Sequence, residues 1–289
     1  MAGLIRAHRP VISFLLIALM LFAAALHATW NTAVKKAPDQ KREVVLVAIV
    51  AGVIPALALP FLPLPSLISL PWLAGSVALQ VLYFRVLGLL YRDGELSFAY
   101  PIMRGSGPLF TAMAGTALLG ETLSPARWGA IALLCSGILL LGAESWRAGR
   151  LDTRVAALAL LNGSFIAGYT ILDAQGVRIS GAPIAYIAWM FMLEGAVLWV
   201  RAPSPMQVLP DLARRWRTAI PCGACMLASY GIALWVMTRA PVAAVAALRE
   251  TSVLFTTAFA ALILRERFGI ARYAAAALVA AGAVAMKAG

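Results

Sequence analysis

Apolar residues run through this chain in long blocks that are cut by short polar or proline-rich breaks. Blocks near 11–34, 43–60, 67–91, 97–119 and 125–143 are followed by a second set near 154–176, 183–200, 217–238, 242–264 and 269–287. A hydrocarbon core of about 30 Å takes roughly 20 apolar residues per helix, so each block predicts one membrane-spanning helix, ten in all, with the ninth continuous over 242–264. The breaks are short. "LPFLPLPSLISLP", between the second and third blocks, places prolines where one helix must end and the next begin.

The two sets of five align on each other. Adding 145 to positions 104–141 lays "RGSGPLFTAMAGTALLGETLSPARWGAIALLCSGILLL" over "RETSVLFTTAFAALILRERFGIARYAAAALVAAGAVAM", with 12 of 38 positions identical. Alanine and leucine matches carry little weight in apolar helices. Arg104 with Arg249, Thr111 with Thr256, Glu121 with Glu266 and Arg127 with Arg272 carry most of it. Tyr83 and Arg92 match Tyr230 and Arg239 at an offset of 147. An odd number of spans per copy turns the second copy upside down, so residues 1–150 and 151–289 read as inverted five-helix repeats. That arrangement is typical of secondary transporters with a midplane site.

Composition narrows the class. With 62% hydrophobic and 12% charged residues and a mean hydropathy of +0.88, the chain reads as an all-α membrane protein with no room for a large soluble domain. The net charge of +12 sits in short clusters such as "KKAPDQKRE" and "RWR", which suits lipid headgroups and excludes an extended nucleic-acid face. Cys135, Cys222 and Cys225 give no disulfide framework, and the CxxC opens an apolar helix, where small packing residues are expected. The apolar run after "MAGLIRAHRP" outlasts a signal-peptide core and is read as the first span. No cofactor or metal site is implied.

Polar residues inside the spans are the candidate site. A cation at the bilayer centre costs about 2.5–3.5 kcal/mol even on low scales, so Arg104 and Arg249 must face partners or water. They are expected to line or brace a central cavity, with Glu250 a candidate partner for Arg249. Glu250, Ser252 and Tyr100 lie beside them in sequence. His27, Trp30 and Asn31 share one face of span one, as Tyr169 and Asp173 share one of span six. Tyr186, Trp189 and Glu194 on span seven, Gln80 and Tyr83 on span three, and Ser229 and Tyr230 on span eight would complete an aromatic, mildly polar chamber. Glu194, near the middle of its span, would be costly as an unpaired carboxylate.

These residues bring the chain close to a known group. "LHATWN", "DGELSFAYPIMRG", "LGETLS", "NGSFIAGYTILDAQGVR" and "ALRETSVLF" with "LRERF" resemble the drug/metabolite transporter superfamily, EamA branch, over nearly the whole chain. The resemblance implies a bacterial inner-membrane carrier similar to the YddG-type amino-acid exporters, with a small-molecule substrate held between the two halves. Multidrug efflux by the same fold is the alternative, against which the prominence of arginines speaks. No GxxxxGK[ST], HExxH or GxSxG is present, so neither ATP hydrolysis nor hydrolase chemistry is expected. A proton is one candidate coupling ion, with Glu194, Asp173 and Glu250 as its candidate carriers; uncoupled diffusion fits the sequence equally. Orientation is divided: six Lys and Arg on the side of both termini against fifteen on the other favour external termini, whereas the resemblance implies cytoplasmic ones. Oligomeric state is left open.

Overall fold

A computed structural model describes residues 13–92, 96–142, 152–202, 204–264 and 269–288. The expected junction at 150 and 151, the basic N-terminal segment and Glu266 lie outside the described residues. Among the described residues every regular element is helical. The helices are α1 (Phe14–Lys35), α2 (Gln40–Ala56), α3 (Leu70–Arg92), α4 (Leu96–Leu119) and α5 (Pro125–Leu140). They continue as α6 (Thr153–Ile179), α7 (Pro183–Val200), α8 (Val208–Met237), α9 (Val242–Arg249), α10 (Ser252–Leu264) and α11 (Ile270–Ala288). Among the described residues, seven helical stretches are long and apolar enough to cross a membrane, and two shorter apolar helices accompany them, as in a multi-pass membrane protein.

Local chemistry sets the boundaries. Ser13, Asp39, Ser124 and Asp152 cap α1, α2, α5 and α6 through side-chain oxygens that accept from the first turn, while Pro125 and Pro183 open α5 and α7. Gly120 and Gly181, at φ of 66° and 67°, turn the chain out of α4 and α6 at low steric cost. Two expected spans differ from the helices found. α8 begins at Val208 rather than near 217, because its first turns carry Asp211, Arg214, Arg215 and Arg217 beyond the apolar stretch. The expected continuous span over 242–264 is broken: α9 ends at Arg249 and α10 begins at Ser252. The N–H groups of Glu250, Thr251, Val253 and Leu254 reach back only three residues, a tight wind that interrupts the α-helical ladder.

The strongest packing joins the two halves of the sequence. α5 lies on α11, α4 and α3 on α6, α2 on α7 and α8, and α1 on α8 and α10. Small residues set the crossings. A Cβ on Gly52 would lie 2.5 Å from the Phe191 carbonyl oxygen and 3.0 Å from the Gly195 Cα, so α2 and α7 meet backbone to backbone. A Cβ on Gly137 would lie 2.9 Å from the Ala275 carbonyl oxygen, and one on Gly282 2.9 Å from that of Ala130, which draws α5 and α11 together the same way. Exposed apolar side chains such as Phe22, Leu118, Leu160 and Val284 are left for lipid.

The two ends of the bundle are tied differently. At one end, Glu121 Oε1 accepts from Arg178 Nη2 at 3.0 Å and from the Val242 N–H at 2.9 Å, while Arg178 also donates to the Met237 and Ala240 carbonyls at 2.8 and 3.1 Å. The ends of α4, α6 and α8 and the start of α9 are thereby knotted together. At the other end, Arg42 pairs with Asp211, and Arg215 with Glu43 at 3.0 Å, linking α2 to α8.

Candidate functional site

A cavity of about 90 Å3 lies in the centre of the bundle and extends toward the Arg42 end. Its position follows from which helix faces remain polar. α1 contributes His27, Trp30 and Asn31; α3 contributes Gln80 and Tyr83; α4 contributes Tyr100 and Arg104. From the second half come Tyr169 of α6, Glu194 of α7, Ser229 and Tyr230 of α8, and Arg249 at the end of α9. The volume suits several waters rather than a large ligand. Apolar walls were not anticipated from sequence: Val34, Val44, Phe84, Leu87, Ile166, Phe191 and Met226 complete the lining. Their signal is weak, because an apolar residue on a membrane helix looks the same whether it faces lipid, core or cavity.

Five expected residues do not line this cavity. Trp189 is half-buried against the main apolar core. Its position is five residues from Glu194, about 140° around α7, so the two cannot share a face. Tyr186 and Asp173 are fully buried beyond the cavity wall, and Glu250 and Ser252 are consumed by a contact with Arg104.

That contact separates the two repeat-related arginines. Arg104 Nη2 lies 2.9 Å from Glu250 Oε2 and donates to Ser252 Oγ at 3.3 Å, reaching from α4 into the break between α9 and α10. Both side chains are buried, at 9% and 7% exposure. Glu250 is therefore the partner of Arg104, and the expected neighbour pair with Arg249 does not form. Arg249 instead lies over the Tyr230 ring, with its guanidinium carbon 4.6 Å from the ring centroid. The broken backbone is tolerated where it adjoins a polar centre.

Aromatic side chains build the walls edge to face. Tyr169 meets Tyr83 and Tyr230 at centroid distances of 6.0 Å, Phe191 meets Tyr230 at 6.2 Å, and His27 meets Trp30 at 5.1 Å. The Trp30 indole N–H is buried and has no acceptor among the described residues, which leaves a donor on the α1 wall.

A buried polar chain leaves the cavity toward the Arg178 end. The Gln80 amide sits between Glu194 and Ser76: one end is 3.0 and 3.3 Å from Glu194 Oε2 and Oε1, the other 3.0 Å from Ser76 Oγ. Ser76 also stands beside the Asp173 carboxylate. Tyr230 donates to Asp173 Oδ2 at 2.8 Å and Tyr186 to Oδ1 at 3.5 Å. Among the described residues, no cation lies within ion-pair distance of Glu194 or Asp173.

Beside the cavity, Val44, Phe84 and Leu87 are shared with a second hollow of about 320 Å3 between α2, α3 and α7, which carries Arg85 and Arg201. It lies at the Arg42 end. The Arg178 end is closed by Asp173, Tyr186 and the Glu121 knot.

A solved crystal structure of another protein superposes on the chain with a TM-score of 0.64 at 18% identity, covering 94% of each chain, so the two share a fold. No curated protein sequence matches the chain. The profile of the EamA-like transporter family matches residues 153–287, α6 to α11, so the second half of the chain is similar to that family.

Proposed function

We propose that this chain is a secondary transporter that exports neutral amino acids, aromatic ones among them, and related small metabolites through the central cavity. The observation that carries this reading is the pairing of unlike charges on its walls. Arg249 and Glu194 both face the cavity, and neither is in an ion pair among the described residues. A zwitterion supplies what each lacks: its carboxylate suits Arg249 and the Trp30 N–H, and its ammonium suits Glu194. The aromatic walls then receive the side chain. A purely cationic drug would leave Arg249 buried against like charge, which disfavours the efflux alternative.

The fold reading behind this proposal is two inverted five-helix repeats in a bacterial inner membrane, with α9 and α10 as the two parts of the ninth span. Its support is the repeat alignment together with the packing: α2 on α7 and α5 on α11 are self-paired under exchange of halves, and α3 on α6 mirrors α8 on α1. Because each half packs chiefly on the other, the moving units of alternating access mix helices of both. α3, α4 and α6 rock against α8, α9 and α1. Arg104 with Glu250 is the brace that spans them, and the knot at Glu121 and Arg178 seals one end while the cavity reaches toward the other.

The test is counterflow. Purified protein in liposomes loaded with unlabelled amino acid should accumulate the radiolabelled form saturably. Silence across the amino-acid panel, with protection from a drug panel in cells, would shift the assignment to multidrug efflux.

A further inference from the structure

Asp173 and Tyr186 are unused by the transporter reading. Both lie behind the cavity wall, joined to it by Tyr230, yet they cost a buried carboxylate in a membrane. Their position at the far end of the chain through Gln80 and Ser76 gives them a role.

Two counts constrain it. In the buried centre of the bundle Arg104 and Arg249 stand against three carboxylates, Glu250, Glu194 and Asp173. Glu250 is paired to Arg104, which among the described residues leaves Arg249 as the cation of this centre: it lines the cavity with Glu194 and acts on Asp173 through the wall. One added proton makes the centre neutral. Hydrogen bonding counts the same way. With its NH2 toward Ser76, Gln80 donates to Ser76 Oγ at 3.0 Å and presents its carbonyl oxygen to Glu194, a contact that forms only if Glu194 carries a proton to donate. The Ser76 hydroxyl is then free to donate to an ionised Asp173. With the amide turned over, its NH2 donates to an ionised Glu194 at 3.0 and 3.3 Å, and its oxygen takes the Ser76 proton. Ser76 Oγ can then accept from Asp173, a contact that forms only if Asp173 carries the proton.

We propose that Glu194 and Asp173 form the binding site of one proton, the coupling ion of transport, and that the Gln80 amide turns over as that proton passes between them. The proton enters from water in the cavity onto Glu194 and leaves by the same route, so no other reactant is needed. Around Glu194 stand Gln80 from α3 and Tyr169 and Asp173 from α6, and α2 adds the apolar Val44 to the cavity lining. Across the cavity are His27, Tyr100, Arg104, Tyr230 and Arg249. Around Asp173 stand Ser76 from α3, Tyr186 and Glu194 from α7, Tyr230 from α8 and Arg249 from α9. The word coupling rests on the transporter reading; the proton site itself does not.

The test therefore has two arms. Infrared spectra of the full chain in liposomes at neutral pH separate a carboxylic acid from carboxylates, and with 12 Asp and Glu in the chain one protonated group is a visible fraction. The expected result is one such group per chain. It should vanish in Glu194→Gln, in Asp173→Asn and in the double variant, since each single change leaves two carboxylates against two arginines, move in Gln80→Leu, and stay unchanged in His27→Gln. A wild type without the band, or a band that survives the double variant, overturns the site. In the second arm, net uptake of L-tryptophan should move protons, read by an entrapped pH dye, and the double variant should lose that signal. Tryptophan uptake with neither dye signal nor acid band overturns the proton site and leaves the transporter reading. An acid band without exchange of any amino acid does the reverse.

Discussion

Removing one member of the Arg104 and Glu250 pair should cost far more than removing both. At 2.9 Å, two unit charges attract by roughly 6 kcal/mol with an effective dielectric of 20, and both side chains are about nine-tenths buried. Losing one partner leaves the other uncompensated in the membrane, a cost of about 3–5 kcal/mol. Arg104→Met and Glu250→Gln should each destabilise by that amount, while the double variant should lose about 1–2 kcal/mol, because no orphan charge remains. Equilibrium unfolding in mixed micelles, run as a double-mutant cycle, measures this directly. Additive single effects, or singles costing under about 1 kcal/mol, would refute the assignment of Arg104 as the brace of the α9 and α10 break.

Arg249 should behave oppositely. Arg249→Met forfeits a cation–π contact worth about 0.5–2 kcal/mol, so stability should change little, but half-saturation for amino-acid exchange should rise at least about tenfold. Leucine at Gly137 or Gly282 should cost about 1–3 kcal/mol or more by forcing α5 from α11, whereas Gly88→Leu, where an added Cβ meets nothing within 4 Å, should be near neutral in the same unfolding assay. Glu121→Ala removes charge-assisted bonds to Arg178 and the Val242 N–H and should cost about 2–3 kcal/mol, while Glu121→Gln, which keeps an acceptor for that N–H, should cost about half as much.

The helices were legible because membrane spans are written in long apolar runs, and the cavity was legible because polar side chains inside such runs must converge. What sequence could not supply was the break at Glu250. The run "ALRETSVLF" keeps helical composition throughout, and only its cluster Glu250, Thr251 and Ser252 hints that side chains compete with the ladder. The repeat also misled. It presents Arg104 and Arg249 as equivalents, yet position 250 is Glu where its counterpart 105 is Gly, so the second half alone carries a carboxylate. One arginine takes it and the other is left to the cavity. Asp173 follows Tyr169 by one helical turn, which put both on the right face but at different depths. Glu121 and Arg178 stand 57 positions apart, and nothing local joins them.

The account turns on the recognition of both charges of a zwitterion. Counterflow of L-phenylalanine should therefore be compared with that of phenethylamine, which lacks the carboxylate, and of 3-phenylpropanoate, which lacks the ammonium. Phenylalanine should exchange at least about tenfold more efficiently than either, and Glu194→Gln should narrow its lead over the propanoate alone. Equal or better exchange of the amine would contradict the account and mark the cavity as a cation site.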